Sequence, residues 1–119
     1  MARILVVEDE SDQRFLLRRI FERAGHEVSD AGDGAAALRA VRESAPDLVV
    51  TDMMMPVMDG MELIRCLRGD PATADIPVLA SSADPQLAGA ADAVVPKPYE
   101  WRHLVAVADA LLTEGRGRS

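Results

Sequence analysis

The sequence predicts a doubly wound α/β domain, a five-stranded parallel sheet with helices on both faces. Three observations predict it. Short apolar runs alternate with stretches of helical period along the whole chain, and turn signals separate them. The runs carry apolar residues at successive positions, as strands buried on both faces do. At 119 residues, with 49% hydrophobic and 28% charged side chains, the chain holds a single core and has no room for a second domain.

RILVVE (Arg3 to Glu8) is the first strand, and Leu16, Leu17, Ile20, Phe21 and Ala24 follow on one helical face closed by Gly25. A weaker strand at about Glu27 to Ala31 precedes Asp33, Gly34 and a helix with Ala37, Leu38 and Val41 inward, which stops before Pro46. Leu48 to Asp52 is the third strand, and its helix begins near Gly60 with Leu63, Ile64 and Leu67 facing the core. IPVLASS supplies the fourth strand and ADAVVP the fifth. Trp101 to Thr113 is a final helix bearing Leu104, Val105, Ala108, Leu111 and Leu112, and the tail from about residue 114 has no apolar anchor and is expected to fray.

Composition narrows the function. A net charge of -7 with no basic stripe argues against direct nucleic-acid binding. No apolar run approaches the length of a membrane span or a signal-peptide core, so a cytoplasmic protein away from the membrane is expected. Cys66 has no His or Cys at metal spacing and reads as a small helix residue. Of 13 basic residues only Lys97 is a lysine, which suggests a position needing a compact ammonium on a flexible stem.

In a parallel doubly wound sheet, function lies at the carboxyl ends of the strands. There the sequence places Glu8 and Asp9, then Asp52, then Ser81 and Ser82, then Pro96 and Lys97. Carboxylates crowded at one edge repel by about 4 kcal/mol per pair at 4 Å and an effective dielectric near 20, so a cation belongs among them. An oxygen-only donor set without His or Cys suits Mg²⁺. An Asp carboxylate can attack phosphorus when metal, ammonium and hydroxyl neutralise the incoming charge.

Four stretches, ILVVED, DMMMPVMDG, PVLASSA and the pair Lys97, Pro98, resemble the receiver domain of bacterial two-component response regulators, the CheY-like family, over nearly the whole chain. The resemblance implies the flavodoxin-like strand order 2-1-3-4-5 and a single receiver domain over 1–119. It implies Asp52 as phosphoacceptor, and Mg²⁺ (Mn²⁺ as a substitute) held by Asp9, Asp52 and the Met54 carbonyl, with Glu8 helping through water. Ser82 and Lys97 would contact the phosphoryl group, and the Lys97–Pro98 peptide would be cis. The implied phosphoryl donor is a histidine kinase or phosphotransfer protein, with a downstream effector protein as a further partner. The chain would be a phosphoacceptor that takes part in its own phosphorylation and slow dephosphorylation, not an enzyme.

Two places depart from the family pattern. Val94 stands three residues before Lys97, where receivers usually carry a ring that reorients on activation. Between Ser82 and Lys97 the chain is shorter by about seven residues, roughly two helical turns, so the helix between strands four and five is expected to be shortened or missing. An alternative function is therefore an atypical receiver that binds a partner irrespective of phosphate. Against a nucleotide-dependent oxidoreductase stands EDESD after strand one, where a Gly-rich loop would be needed. Against an Asp-nucleophile phosphatase stands Met54, where the second Asp of that chemistry would lie.

Blander roles fit several residues. Glu8 and Asp9 could favour the next helix through its dipole. Met53, Met54, Met55 and Met58 are expected to fill gaps beneath the loop, with only the Met54 backbone taking a further role, Tyr99 and Trp101 read as packing or partner contacts, and His26 and His103 read as exposed.

Overall fold

A computed structural model describes residues 2–55, 58–83 and 91–114. Its strands are β1 (Arg3–Val7), β2 (Glu27–Ala31), β3 (Leu48–Asp52), β4 (Val78–Ser82) and β5 (Ala93–Pro96). Its helices are α1 (Ser11–Arg23), α2 (Gly34–Glu43), α3 (Gly60–Arg68) and α4 (Trp101–Glu114). All strand pairs are parallel, in the order β2-β1-β3-β4-β5. The doubly wound fold and its strand order are as expected. Most of the stretch expected to carry a shortened helix, residues 84–90, lies outside the described residues, as does the tail 115–119; Glu114 still closes α4.

Side-chain alternation divides the core into two layers. Ile4, Val6, Leu48, Val50, Leu79 and Val95 pack on α1 and α4 through Leu17, Phe21, Leu104 and Ala108. Leu5, Val7, Val49, Val78 and Ala80 pack on α2 and α3 through Ala37, Leu38, Val41, Leu63, Ile64 and Leu67. β1, β3 and β4 are central and almost wholly buried, whereas only Val28 and Ala31 of edge strand β2 are buried. That explains the weaker apolar pattern of β2.

The helix ends follow from local chemistry. Asp33 caps α2 by accepting from the Ala36 N–H at 2.8 Å, and Asp59 caps α3 by accepting from the Glu62 N–H at 2.9 Å. At the end of α1 the Gly25 N–H donates to the Glu22 carbonyl and the His26 N–H to the Phe21 carbonyl. This Schellman closure requires the left-handed φ of +96° that Gly25 supplies.

α1 and the chain beside it bring two corrections. Leu16 and Ala24 share the apolar stripe but are exposed, because the sheet covers only the side of the helix bearing Leu17 and Phe21. His26 is not exposed: its side chain is only 11% accessible, its Nδ1 accepts from the Ala2 N–H, and its Nε2 lies 3.3 Å from Asp109 Oδ1.

Candidate functional site

Parallel register carries the polar ends of β1, β3 and β4 and the residues after β5 to one rim. Glu8 continues the β1 ladder by one step, its N–H donating to the Ala31 carbonyl at 3.1 Å. Asp52 ends β3, paired in register with Ser81 of β4. Lys97 follows β5, with its N–H on the Ser82 carbonyl at 2.9 Å. Backbone pairing thus delivers groups far apart in sequence to one place.

One carboxylate oxygen from each of Glu8, Asp9 and Asp52 lies within 4.8 Å of the other two. Lys97 Nζ sits 3.3 Å from Asp52 Oδ1 and 3.8 Å from Glu8 Oε1. Glu8 and Asp52 are buried, while Asp9 is exposed and opens the rim to solvent. Three carboxylates face one ammonium, an excess of negative charge that a divalent cation would cancel. The cluster contains neither His nor Cys, so it could hold a hard metal ion through oxygen alone.

Burial pushes the Glu8 carboxyl above the ordinary glutamate range, and the nearby Asp52 charge and a side-chain contact with Asp9 push the same way. The Glu10 N–H, donating to Glu8 Oε2 at 3.1 Å, and the Lys97 charge pull against that rise. The Tyr99 hydroxyl is also raised, first by burial and then by the charges of Glu8 and Asp52.

The loop after Asp52 is held at both ends. Its start is fixed by the Met54 N–H donating to Asp52 Oδ1 at 3.3 Å, and Met53 is buried beneath it. The Gly60 N–H returns to the Met53 carbonyl at 3.1 Å, and a Cβ on Gly60 would lie 2.6 Å from the Asp52 carbonyl oxygen. Only glycine permits that approach. Met54 does not fill a gap beneath the loop as expected: the residue is 65% exposed, and because its soft thioether is a poor ligand for a hard cation, any contribution it makes to one comes from its backbone.

A cleft of about 580 Å³ opens over the cluster, walled by Glu8, Asp9, Asp52, Lys97, Ala83, Tyr99 and Leu16 among others. Asp52, Glu8, Asp9 and Lys97 therefore come together as the sequence suggested. Ser82 reaches the same rim, its carbonyl joined to the Lys97 backbone, and the Lys97–Pro98 peptide is cis. Its neighbour Ser81, in register with Asp52, keeps a buried hydroxyl that meets no hydrogen-bond partner among the described residues. Val94 packs, partly buried, against the α2 and α3 side of the core. Sequence reasoning missed Tyr99 as a wall of the cleft and Glu10 as the holder of Glu8. Tyr99 has a signal in retrospect, lying two residues after the lone lysine.

Comparison with known proteins decides the family. The sequence profile of the response regulator receiver domain matches residues 4–109. The chain belongs to the response regulator receiver family. This receiver is 42% identical over 115 residues to the transcriptional regulatory protein PrrA of Mycobacterium tuberculosis, covering 92% of the chain and 49% of PrrA. It is 41% identical over 119 residues to the response regulator MprA of Mycobacterium sp. (strain KMS), covering 92% of the chain and 50% of MprA. The receiver thus spans about half the length of the curated relatives it matches. Among solved structures, it resembles the receiver domain of a signal transduction histidine kinase from Syntrophus aciditrophicus. The TM-score is 0.88 at 32% identity, over 95% of this chain and 91% of that one. Chemotaxis response regulator CheY4 of Vibrio cholerae gives a TM-score of 0.87 at 28% identity, over 93% of this chain and 98% of that one. Among the described residues no helix is long and apolar enough to cross a membrane.

Proposed function

We propose that Asp52 of this receiver accepts a phosphoryl group, with Mg²⁺ held by Asp9, Asp52 and the Met54 carbonyl, and Glu8 acting through water. The observation that carries the reading is Lys97 Nζ lying 3.3 Å from Asp52 Oδ1 inside a rim of three carboxylates. An ammonium there can neutralise charge on Asp52 or on the oxygens of a phosphoryl group carried by it.

The donor is a phosphohistidine on a histidine kinase or phosphotransfer protein. An Asp52 carboxylate oxygen forms a bond to phosphorus as the phosphorus–nitrogen bond breaks, and the leaving imidazole keeps its electron pair and takes a proton from solvent. Lys97 and the Ser82 hydroxyl stabilise the phosphoryl oxygens. When bound, the divalent cation supplies further positive charge beside those oxygens.

The donor meets an apolar groove between α1 and α4, lined by Phe15, Leu16, Ile20 and Trp101 and bordered by Arg19 and Arg23. Leu16 walls both this groove and the acidic cleft, so a donor seated in the groove lies next to the cleft that holds Asp52. The receiver acts in the cytoplasm on an effector protein, as a phosphoacceptor and not as an enzyme with a separate substrate.

The test is incubation with Mg²⁺ and phosphoramidate followed by intact-mass measurement. Wild type gains one phosphoryl group, while Asp52→Asn and chelator-treated wild type gain none. An adduct retained by Asp52→Asn would refute the assignment. A second reading, a partner-binding module indifferent to phosphate, is favoured by Val94 standing, partly buried against the core, where the family usually has a ring that reorients. It predicts that partner affinity is the same for the phosphorylated and unmodified protein.

A further inference from the structure

The acidic pair Glu8 and Asp9 lies in a turn whose geometry is fixed from outside. The N-cap position of α1, Glu10, makes no side-chain capping bond, so the usual local device for anchoring a turn to its helix is absent. In its place Arg14, the fourth residue of α1, reaches back to the turn. Its Nη1 donates to the Glu8 carbonyl at 2.8 Å and, at the outer limit of a hydrogen bond, to the Asp9 carbonyl at 3.5 Å. Its Nε lies 4.0 Å from Asp30 Oδ1 on β2, and a Cβ on Gly32 would stand 3.3 Å from Nη1. The guanidinium is thus wedged between the turn and the end of β2, with its side chain 24% exposed.

Peptide planarity turns these contacts into control of the carboxylates. The direction of a Cα–Cβ bond follows from the two peptide planes that flank it. The plane before Glu8 is tied to Ala31 and the plane after it to Arg14, while Arg14 touches the carbonyls of both planes that flank Asp9. We propose that Arg14 is a positioning residue for Glu8 and Asp9, holding the turn so that their carboxylates converge with Asp52 on a divalent cation. The inference rests on the reading of this rim as a cation site.

The sign of the effect separates positioning from simple electrostatics. Arg14 is a cation near a cation site, so by charge alone its removal strengthens metal binding. Positioning predicts the opposite, a loss of about tenfold or more, as for other residues that orient metal ligands. The experiment is calorimetric titration of the full chain with Mn²⁺, on wild type, Arg14→Ala, Arg14→Lys and Arg39→Ala. The last removes the same charge from an exposed position on α2. Arg14→Lys keeps the charge but loses the planar fork that spans a carbonyl and Asp30, and it serves alone if Arg14→Ala does not fold by circular dichroism.

Weaker Mn²⁺ binding in both Arg14 variants, with Arg39→Ala unchanged or tighter, is the expected result. Equal or tighter binding in a folded Arg14→Lys overturns the inference. Absence of saturable Mn²⁺ binding in wild type overturns instead the reading of the rim on which the inference stands.

Discussion

At the amino edge of the sheet, charges close on themselves. Arg68 pairs with Asp92 at 2.6 Å and donates to the carbonyls of Ala74 and Ile76, while Asp92 accepts the Val78 N–H. Asp47 likewise accepts the Arg3 N–H at 2.8 Å, and His26 joins Ala2 to Asp109. At the carboxyl edge Glu8 and Asp52 share the ammonium of Lys97, and the Asp9 carboxylate lies beside them. Both edges carry ionisable groups, but among the described residues only the carboxyl edge buries carboxylates, Glu8 and Asp52, around a shared cation. The closed edge spends its charges on holding loops to strands, and the open edge bears a cost in the folded state that a cation and a phosphoryl group relieve.

Variants at the two edges should separate along those lines. Asp9→Ala at the open edge removes the most exposed carboxylate of the rim. It should slow phosphorylation by about 10³-fold, the equivalent of several kcal/mol of charge stabilisation, as read by intact-mass time courses at fixed Mg²⁺. Lys97→Ala takes away one donor to the phosphoryl oxygens and should cost about 10²-fold in the same assay, with Mn²⁺ affinity preserved or raised. Arg68→Ala at the closed edge should do the reverse. It leaves Asp92 partly buried without its guanidinium and should lower unfolding free energy by about 3 kcal/mol in urea, while Mn²⁺ affinity in the folded protein stays at the wild-type value.

The smallest expected effect concerns Glu8. Its carboxyl is raised by burial and by Asp52, so above the ordinary glutamate value of 4.5 the folded state binds more protons than the unfolded chain. Stability of the metal-free protein therefore falls as pH rises from there through the folded-state value. Glu8→Gln lacks this penalty and should melt a few degrees higher than wild type at neutral pH, with the gap closing under acid. A Glu8→Gln variant that melts lower at neutral pH would show that the rim bears no such cost.

Much of the open edge was legible in the chain because strand-end positions in a parallel sheet need no side-chain geometry to converge. Asp52 closes an apolar run, Glu8 and Asp9 close another, and Lys97 follows a third, so topology alone brings them together. What stayed hidden depends on contacts with no periodic signature. Arg14 acts through backbone carbonyls, which any residue could offer. His26 looked exposed beside a C-capping glycine, yet α4 folds over it and supplies Asp109. Leu16 belongs to the apolar stripe of α1 but lies beyond the width the sheet can cover, and periodicity does not report that limit. The choice between Ser81 and Ser82 turns on one step of register. Pairing sets Ser81 beside Asp52, whereas the family motif points to Ser82.

Crystals grown with Mn²⁺ and measured at an energy where manganese scatters anomalously test the central claim most directly. A cation site at this rim predicts one strong difference peak coordinated by carboxylate oxygens of Asp9 and Asp52, on the solvent side of Lys97. A peak elsewhere, or none at that rim with the ion at saturating concentration, would contradict it.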